Sequence, residues 1–341
     1  MLLLDSLYIN NSGGKVLLDY LVEHLETSDI DVFYLFDERC IDDYQFVAAK
    51  KKKFIKASLV QRYLFYKKNS EKFSKVLCFA NFAPPVKLVV PVYVYFHQLL
   101  FLENSRSIYL NNQIQILKYL KLTLKQNVFK LSMSHADKWI VQLSTIADRF
   151  SRKFRVQRSN ILELPFYPPV AAEASSEKRE QFTYIYVSSG ATHKNQLRLI
   201  DAFCLFYNKH KKGKLTLTIG DGFPEISKII EDKSSIGYPI DNIGFVERET
   251  LSSIYASHEY LIYPSLTESF GLGIVEAIEC GCKVIGADLP YMHDVCTPSL
   301  TFDPLSTVSI YEALEASLRK NVKLTESKIV NCIGNLIEEL K

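Results

Sequence analysis

Two glutamates, Glu268 and Glu276, bracket the stretch Ser269-Phe270-Gly271-Leu272-Gly273-Ile274-Val275. Carboxylates accept hydrogen bonds from sugar hydroxyls, and small residues leave backbone amides open to an approaching anion. A nucleotide sugar offers both kinds of group. A cation stands upstream, in Ser189-Gly190-Ala191-Thr192-His193-Lys194-Asn195. Lys194, beside a glycine and at the start of a helix-spaced segment, is placed to meet a diphosphate. Simpler readings compete. Glutamates favour the positive end of a helix, which accounts for Glu268 but not for the glycines beside it. Lys194 alone would pass as a surface lysine.

The elements that must position these groups follow from spacing. The apolar run Tyr260–Tyr263 predicts a strand, and Pro264-Ser265 a turn. Leu272–Cys280 then has helical spacing and stops at Gly281, a natural left-handed cap. Helical side chains lean toward the helix N-terminus, so Glu276 is expected to lean back toward Glu268. Strand–loop–helix units of this kind bind ligands at the carboxyl end of a parallel strand. Phe182–Ser188 predicts the strand before the Lys194 loop, and Gln196–Asn208 the helix after it. Leu215–Ile219 predicts a strand ending in the turn Gly220-Asp221-Gly222; Ile243–Val246 and Lys283–Gly286 predict two more. Leu324–Leu340 predicts a final helix.

The first half repeats the alternation. Leu2–Ile9 predicts a strand, Asn10–Gly14 a loop holding Gly13 and Gly14, and Val16–Leu25 a helix. Val32–Phe36, Val76–Phe79, Val89–Phe96 and Trp139–Gln142 predict further strands, and Ile108–Lys130 an amphipathic helix whose Leu117, Leu120, Leu124 and Val128 are expected to pack on the core. Ser144-Thr145 caps the helix that follows. His97 falls just past the third of these strand ends, where it reads either as a satisfied hydrogen bonder or as a ligand contact. Leu164–Pro169 and the small, polar Ala171–Arg179 read as a boundary and linker. The whole reads as α/β, with two Rossmann-like domains facing across a cleft.

The segment Glu268-Ser-Phe-Gly-Leu-Gly-Ile-Val-Glu276 resembles the signature of retaining glycosyltransferases of the GT-B fold, the glycosyltransferase family 4 or "glycosyl transferases group 1" type found in bacterial surface-polysaccharide biosynthesis. The resemblance covers residues 182–290 with specific motifs and residues 1–165 weakly. It implies an acceptor-binding domain at 1–165, a nucleotide-sugar donor domain at 166–323, and a helix at 324–341 that crosses back to the first domain. Glu268 would orient the donor sugar and Glu276 would hold the ribose. The amides of Ser269, Phe270, Gly271 and Leu272 would approach the sugar and phosphates, and Lys194 with Asn195 and Gly190 would hold the diphosphate. Gly220, Asp221 and Gly222 would lie near the nucleotide, and the backbone at Val246 would hold the base. Gly13 and Gly14 would let a phosphate or acceptor approach, and His97 would face the donor sugar across the cleft. Many members carry an arginine a few residues before the lysine. Ser188, Ser189 and Gly190 stand there instead, which leaves His193 or Arg198 to substitute.

The implied chemistry is retaining, metal-independent hexosyl transfer, with a nucleoside-diphosphate sugar as donor substrate and no cofactor. The acceptor would be a hydroxyl of a glycan or of a polyprenyl-diphosphate-linked carrier, in lipopolysaccharide O-antigen or capsule assembly. Two rivals share the fold: a nucleotide-sugar epimerase, disfavoured by the paired-glutamate loop, and a non-catalytic nucleotide-sugar binding protein.

Composition sets limits around this. At 341 residues with 48% apolar content the chain suits two cores. No window suggests a transmembrane span, and the amino-terminal MLLLDSLYIN lacks a basic start, so a cytoplasmic protein is expected. Seven scattered cysteines read as buried reduced thiols; Cys280-Gly-Cys282 has no second pair to complete a zinc site. Asp29-Ile-Asp31 has the form of a metal-binding pair of another fold, but reads as a loop edge with no metal. The net charge of +3 hides an asymmetry, because residues 1–165 carry 24 basic and 15 acidic side chains. Between Lys50 and Lys75 ten basic residues face Glu71 alone, with Phe54, Tyr63, Phe65, Tyr66 and Phe73 interleaved. Peripheral contact with an anionic membrane and a solvated helix face both fit; nucleic acid is not expected.

Overall fold

A computed structural model describes residues 1–102, 116–170 and 179–341. The chain divides into two compact units, one formed by Met1–Pro168 with Val330–Lys341, the other by Pro169–Ile329.

In the first unit, among the described residues, seven strands form an all-parallel sheet: β1 (Leu2–Asp5), β2 (Val32–Asp37), β3 (Lys52–Ile55), β4 (Lys75–Cys78), β5 (Val92–Tyr95), β6 (Lys138–Val141) and β7 (Ile161–Glu163). Their order is β3-β2-β1-β4-β5-β6-β7. β1 and β5 are buried along their whole length, as a parallel sheet covered on both faces requires. The connections between these strands carry α1 (Ser12–Glu26), α2 (Leu59–Asn69), α3 (Ile116–Ser132) and α4 (Ser144–Phe154). α1 buries Leu17, Leu18, Leu21, Val22 and Leu25, a stripe of helical period. Phe96, Phe129, Trp139 and Phe150 form an aromatic core under α3 and α4, with Phe96 and Phe150 centroids 4.7 Å apart.

The second unit repeats the plan. A six-stranded parallel sheet has the order β10-β9-β8-β11-β12-β14, from β8 (Glu180–Tyr186), β9 (Lys214–Leu217), β10 (Ile240–Asn242), β11 (His258–Tyr263), β12 (Lys283–Ala287) and β14 (Leu300–Phe302). β13 (Cys296–Thr297) pairs antiparallel with β15 (Glu326–Ser327). Its helices are α5 (Gln196–His210), α6 (Pro224–Ser235), α7 (Arg248–Ser257), α8 (Leu272–Glu279), α9 (Pro290–Val295) and α10 (Thr307–Ala316). In both units the sheet order reverses between the first and fourth strands, β1/β4 and β8/β11. Ligands bind at such a switch point.

Several expectations need correction. Ile243–Val246 is not a strand: Ile240–Asn242 takes that place, and Asn242 closes the loop after it by accepting from the amides of Ile219 and Gly244. The final helix, α11, spans only Ile333–Leu340, because Glu326–Ser327 is drawn into the small antiparallel pair. β1 ends at Asp5, where the chain turns, and Tyr8 adopts a left-handed φ of 88°. Ser144 opens α4 from inside, and Leu143 holds the N-cap position. Leu120 and Leu124 are exposed, not core; the buried side of α3 is carried by Gln126, Phe129 and Ser132 instead. Leu117 and the linker residues 171–178 lie outside the described side chains. Six cysteines are buried and Cys332 is partly so; burial pushes the Cys280 thiol up to about 11 and that of Cys282 to about 12. Among the described residues no three His, Cys, Asp or Glu side chains are grouped to hold a metal, and no helix is long and apolar enough to cross a membrane.

Candidate active site

The switch point of the second unit brings together residues far apart in sequence. The loop after β8 carries Lys194, and the loop after β11 carries Glu268. Lys194 Nζ donates to Glu268 Oε1 at 2.6 Å. The two loops are stitched by backbone, Leu266 N donating to His193 O at 2.8 Å, and the Tyr186 side chain at the end of β8 holds the first loop by donating to Lys194 O at 3.1 Å. Asn195 sits at φ 60° as the N-cap of α5, and its buried amide donates to Pro264 O and Pro304 O. Asn195 therefore ties loops together, which fixes the lysine beside it. Below Glu268 lie the buried rings of Tyr186, Tyr263 and Tyr291, whose phenol pKa values burial and then the nearby carboxylate raise. That apolar floor strengthens every charge interaction above it.

Glu276 lies in α8, within one turn and a half of the helix start. Gly271 caps this helix at φ +87°, and a Cβ there would meet Ile274 Cδ1 at 2.8 Å, so only glycine fits the turn. Glu276 Oε1 accepts from Arg248 Nη1 at 2.5 Å, and Oε2 from Tyr255 Oη at 3.5 Å. Burial raises the Glu276 pKa, and Arg248 opposes that shift. Side-chain exposure is 28% for Arg248 and 4% for Glu276, against 17% for Lys194 and 12% for Glu268. Each carboxylate thus carries one cation that still reaches solvent. Arg248 was missed by sequence reading. Its signal was slight: a basic residue in the first turn of a helix that follows the loop after β10.

The surrounding loops place the remaining residues. Gly190 is buried against Phe223, and a Cβ there would approach that ring and its Cβ to 2.6 Å. A cavity of about 680 Å³ opens beside this contact, between Thr192, Arg198 and Phe223, and neither glutamate lines it. Arg198 Nη1 donates to Asn195 Oδ1 at 2.8 Å, on the cavity side of the loop. Desolvation and then Lys194 lower the His193 pKa. Asp221 and Gly222 are exposed, Gly220 half-buried, and Val246 lies in an irregular loop. Phe270 and Gly271 are buried, while Ser269 and Leu272 are partly exposed at the α8 N-terminus.

In the first unit, the first turn of α1, which takes in Gly13 and Gly14 where a loop was expected, meets the loops after β4 and β5 that carry Asn81 and His97; a Cβ on Gly14 would lie 4.0 Å from His97 Nε2. Gly13 faces open space. Asn81, at a left-handed φ of 68°, accepts from the amides of His97 and Gln98 and has its Nδ2 3.2 Å from His97 Nε2. The buried His97 Nδ1 has no partner among the described residues, and burial pushes the ring pKa down to about 4.

Comparison with known proteins agrees with this geometry. Residues 171–302 match glycosyl transferases group 1. The chain is 29% identical over 161 residues to the alpha-monoglucosyldiacylglycerol synthase of Acholeplasma laidlawii, covering 43% of this chain and 40% of that protein. It therefore spans well under half the length of that relative. Among solved structures, sucrose-phosphate synthase from Thermosynechococcus elongatus superposes with a TM-score of 0.69 at 16% identity, covering 93% of this chain and 89% of that one. Anabaena HepE in complex with UDP and glucose gives 0.64 at 13% identity, covering 94% and 89%. These likenesses span both units and show the fold, which is GT-B.

Proposed function

We propose that the protein is a retaining glycosyltransferase that moves a hexose from a nucleoside-diphosphate sugar to a hydroxyl acceptor. The observation that carries this reading is the pairing of Lys194 with Glu268 and of Arg248 with Glu276 at one switch point. A diphosphate entering beside them gains two cations, and the sugar and ribose hydroxyls gain two carboxylates. Lys194 and Arg248 would share the diphosphate, so Arg248 takes the place of the arginine absent before Lys194. Arginine's fork suits two phosphate oxygens at once.

Both glutamates are engaged by cations in the free protein, which suits orientation better than nucleophilic attack or proton abstraction. The bond from the sugar's anomeric carbon to the diphosphate oxygen breaks, and the acceptor oxygen bonds to that carbon on the same face. The acceptor proton passes to the departing diphosphate oxygen, whose charge Lys194, Arg248 and the α8 amides stabilise. The paired cations make a metal unnecessary. The HepE complex favours UDP as the nucleotide, and the Acholeplasma relative favours a glycolipid acceptor.

The test is a panel of UDP-, GDP-, ADP-, CDP- and dTDP-sugars, read by thermal shift with chelator present and then by product stereochemistry. A ligand at a hundred times its Kd stabilises by about 2.7 kcal/mol. A shift with one nucleotide class, abolished in Glu276→Ala, supports the site. No shift with any class, or an inverted product, refutes the reading.

A further inference from the structure

We propose that the outer faces of α2 and α3 form a docking surface for an anionic lipid bilayer. This surface is independent of the reaction proposed above. The strand order fixes where the helices lie. The β3-to-β4 and β5-to-β6 connections both run the same way across the first sheet. Right-handed crossovers then place α2 and α3 on one face, and α1, which joins β1 to β2 in the opposite direction, on the other. Phe82 links the two helices on that face: Arg62 of α2 donates to its carbonyl at 2.9 Å, and its ring lies 6.1 Å from Phe129 of α3.

Each helix has an apolar side that no described residue covers. On α2, Arg62, Phe65 and Tyr66 face inward, while Val60 is 66% and Leu64 56% exposed, with Tyr63 beside them. On α3, Leu120, Leu124 and Leu131 are 55%, 64% and 77% exposed. At 100° per residue these three leucines fall within one narrow stripe opposite the buried Phe129. Lysines flank both stripes: Lys67 and Lys68 on α2, and Lys121, Lys125 and Lys130 on α3, all exposed. Neither helix contains an acidic residue.

This combination selects the occupant. A solvated helix face does not require a row of leucines, and mixes acids with bases. A second copy of the chain, joined by a two-fold axis, would set lysines against lysines. A bilayer with anionic headgroups accepts both features, since leucines enter the acyl boundary while lysines stay at headgroup level. The basic 50–75 stretch supplies only half of this surface. The other half comes from a helix more than forty residues downstream, whose leucines sequence periodicity assigned to the core.

The experiment is cosedimentation of the full chain with vesicles of phosphatidylcholine alone and of phosphatidylcholine mixed with phosphatidylglycerol. Binding is expected only with phosphatidylglycerol and should weaken as salt rises. The pairs Val60→Asp/Leu64→Asp and Leu120→Asp/Leu124→Asp should each reduce partitioning more than tenfold, and Lys67→Gln/Lys68→Gln about tenfold or more. All are surface changes, so unchanged unfolding midpoints and unchanged nucleotide-sugar thermal shifts confirm that fold and donor site persist. Three results overturn the proposal: no binding to phosphatidylglycerol vesicles, equal binding to both vesicle types, or variants that bind as the parent does. A concentration-dependent dimer in analytical ultracentrifugation, abolished by the same variants and without vesicle binding, would assign the face to a second copy instead.

Discussion

Two arginine–carboxylate pairs, one in each unit, show how the same chemistry serves different ends. In the first unit Arg62 Nε donates to Asp5 Oδ2 at 2.7 Å, and both side chains are almost wholly buried. The remaining valences are spoken for. Arg62 also donates to Ala83 O, Phe82 O and Cys78 Sγ, while Asp5 accepts from Tyr66 Oη and from Leu7 N. In the second unit Arg248 and Glu276 form an ion pair whose arginine is partly exposed, and Lys194–Glu268 stands nearby with both members reaching solvent. A pair sealed on all sides joins strand to helix and excludes ligands. A pair with one exposed cation can exchange its carboxylate for a phosphate. Burial of the cation separates a structural pair from a candidate binding pair.

The largest expected effect falls on the sealed pair. Arg62→Ala leaves Asp5 buried without its cation and should cost about 3–5 kcal/mol of stability, read from the midpoint of chemical unfolding followed by the aromatic signals of the first unit. A loss below about 1 kcal/mol would mean that Asp5 finds water, and that the pair is not sealed.

Turnover should be hit hardest at the open pair. Glu268→Ala is expected to lower kcat by about a hundredfold or more while changing stability little, because Lys194 is left near solvent and not buried. Lys194→Ala should act on kcat to a similar extent. If Glu268→Ala kept full turnover and donor affinity, the orienting role assigned to this carboxylate would fail.

The sequence carried much of this site because its chemistry is local. Glu268, the glycines and Glu276 share one strand–loop–helix unit, and a single helical turn rule places one carboxylate near the other. Lys194 was legible for the same reason, as a cation at a helix start. Arg248 was not, since its relation to Glu276 depends on how α7 packs beside α8, and no spacing rule reports a contact between two helices. The exposed leucines of α3 were misread on the same account. Periodicity shows that a helix has an apolar side, but which side meets the sheet is settled by Phe129 filling the aromatic core. The short strands β3 and β7 were missed because three or four residues carry too little alternation, and β3 opens in a lysine run.

Arg248→Ala sharpens the comparison at the second open cation. Donor affinity should fall about tenfold, the usual size of one lost charge-assisted contact. It should also become pH-dependent. Burial already raises the Glu276 pKa, and Arg248 holds it down. Without the arginine the carboxylate protonates at higher pH, so donor binding in the variant should weaken as pH falls toward the acid side of neutrality while the parent stays flat. Isothermal titration across pH measures both. A variant with parental affinity and no pH dependence would return Arg248 to a purely structural part.

The last effect concerns His97, a partly buried ring that meets the Asn81 amide and, among the described residues, has no carboxylate to hold a proton on it. Its pKa is pushed down to about 4 by burial, below the ordinary value of 6.5. The unfolded chain therefore binds this proton first on acidification. Between about pH 6.5 and 4 the unfolded state holds more protons, so stability is complete above that window and declines as pH falls through it. His97→Gln keeps a side chain that can meet Asn81 and removes the titration. Across that interval the difference in stability between His97→Gln and the parent should move in favour of the variant. The change should total at most about 3.5 kcal/mol, since each pH unit between the two pKa values is worth about 1.4 kcal/mol. Parallel stability curves would show that the imidazole is solvated and charges freely. In that case the buried Nδ1 has a partner in solution.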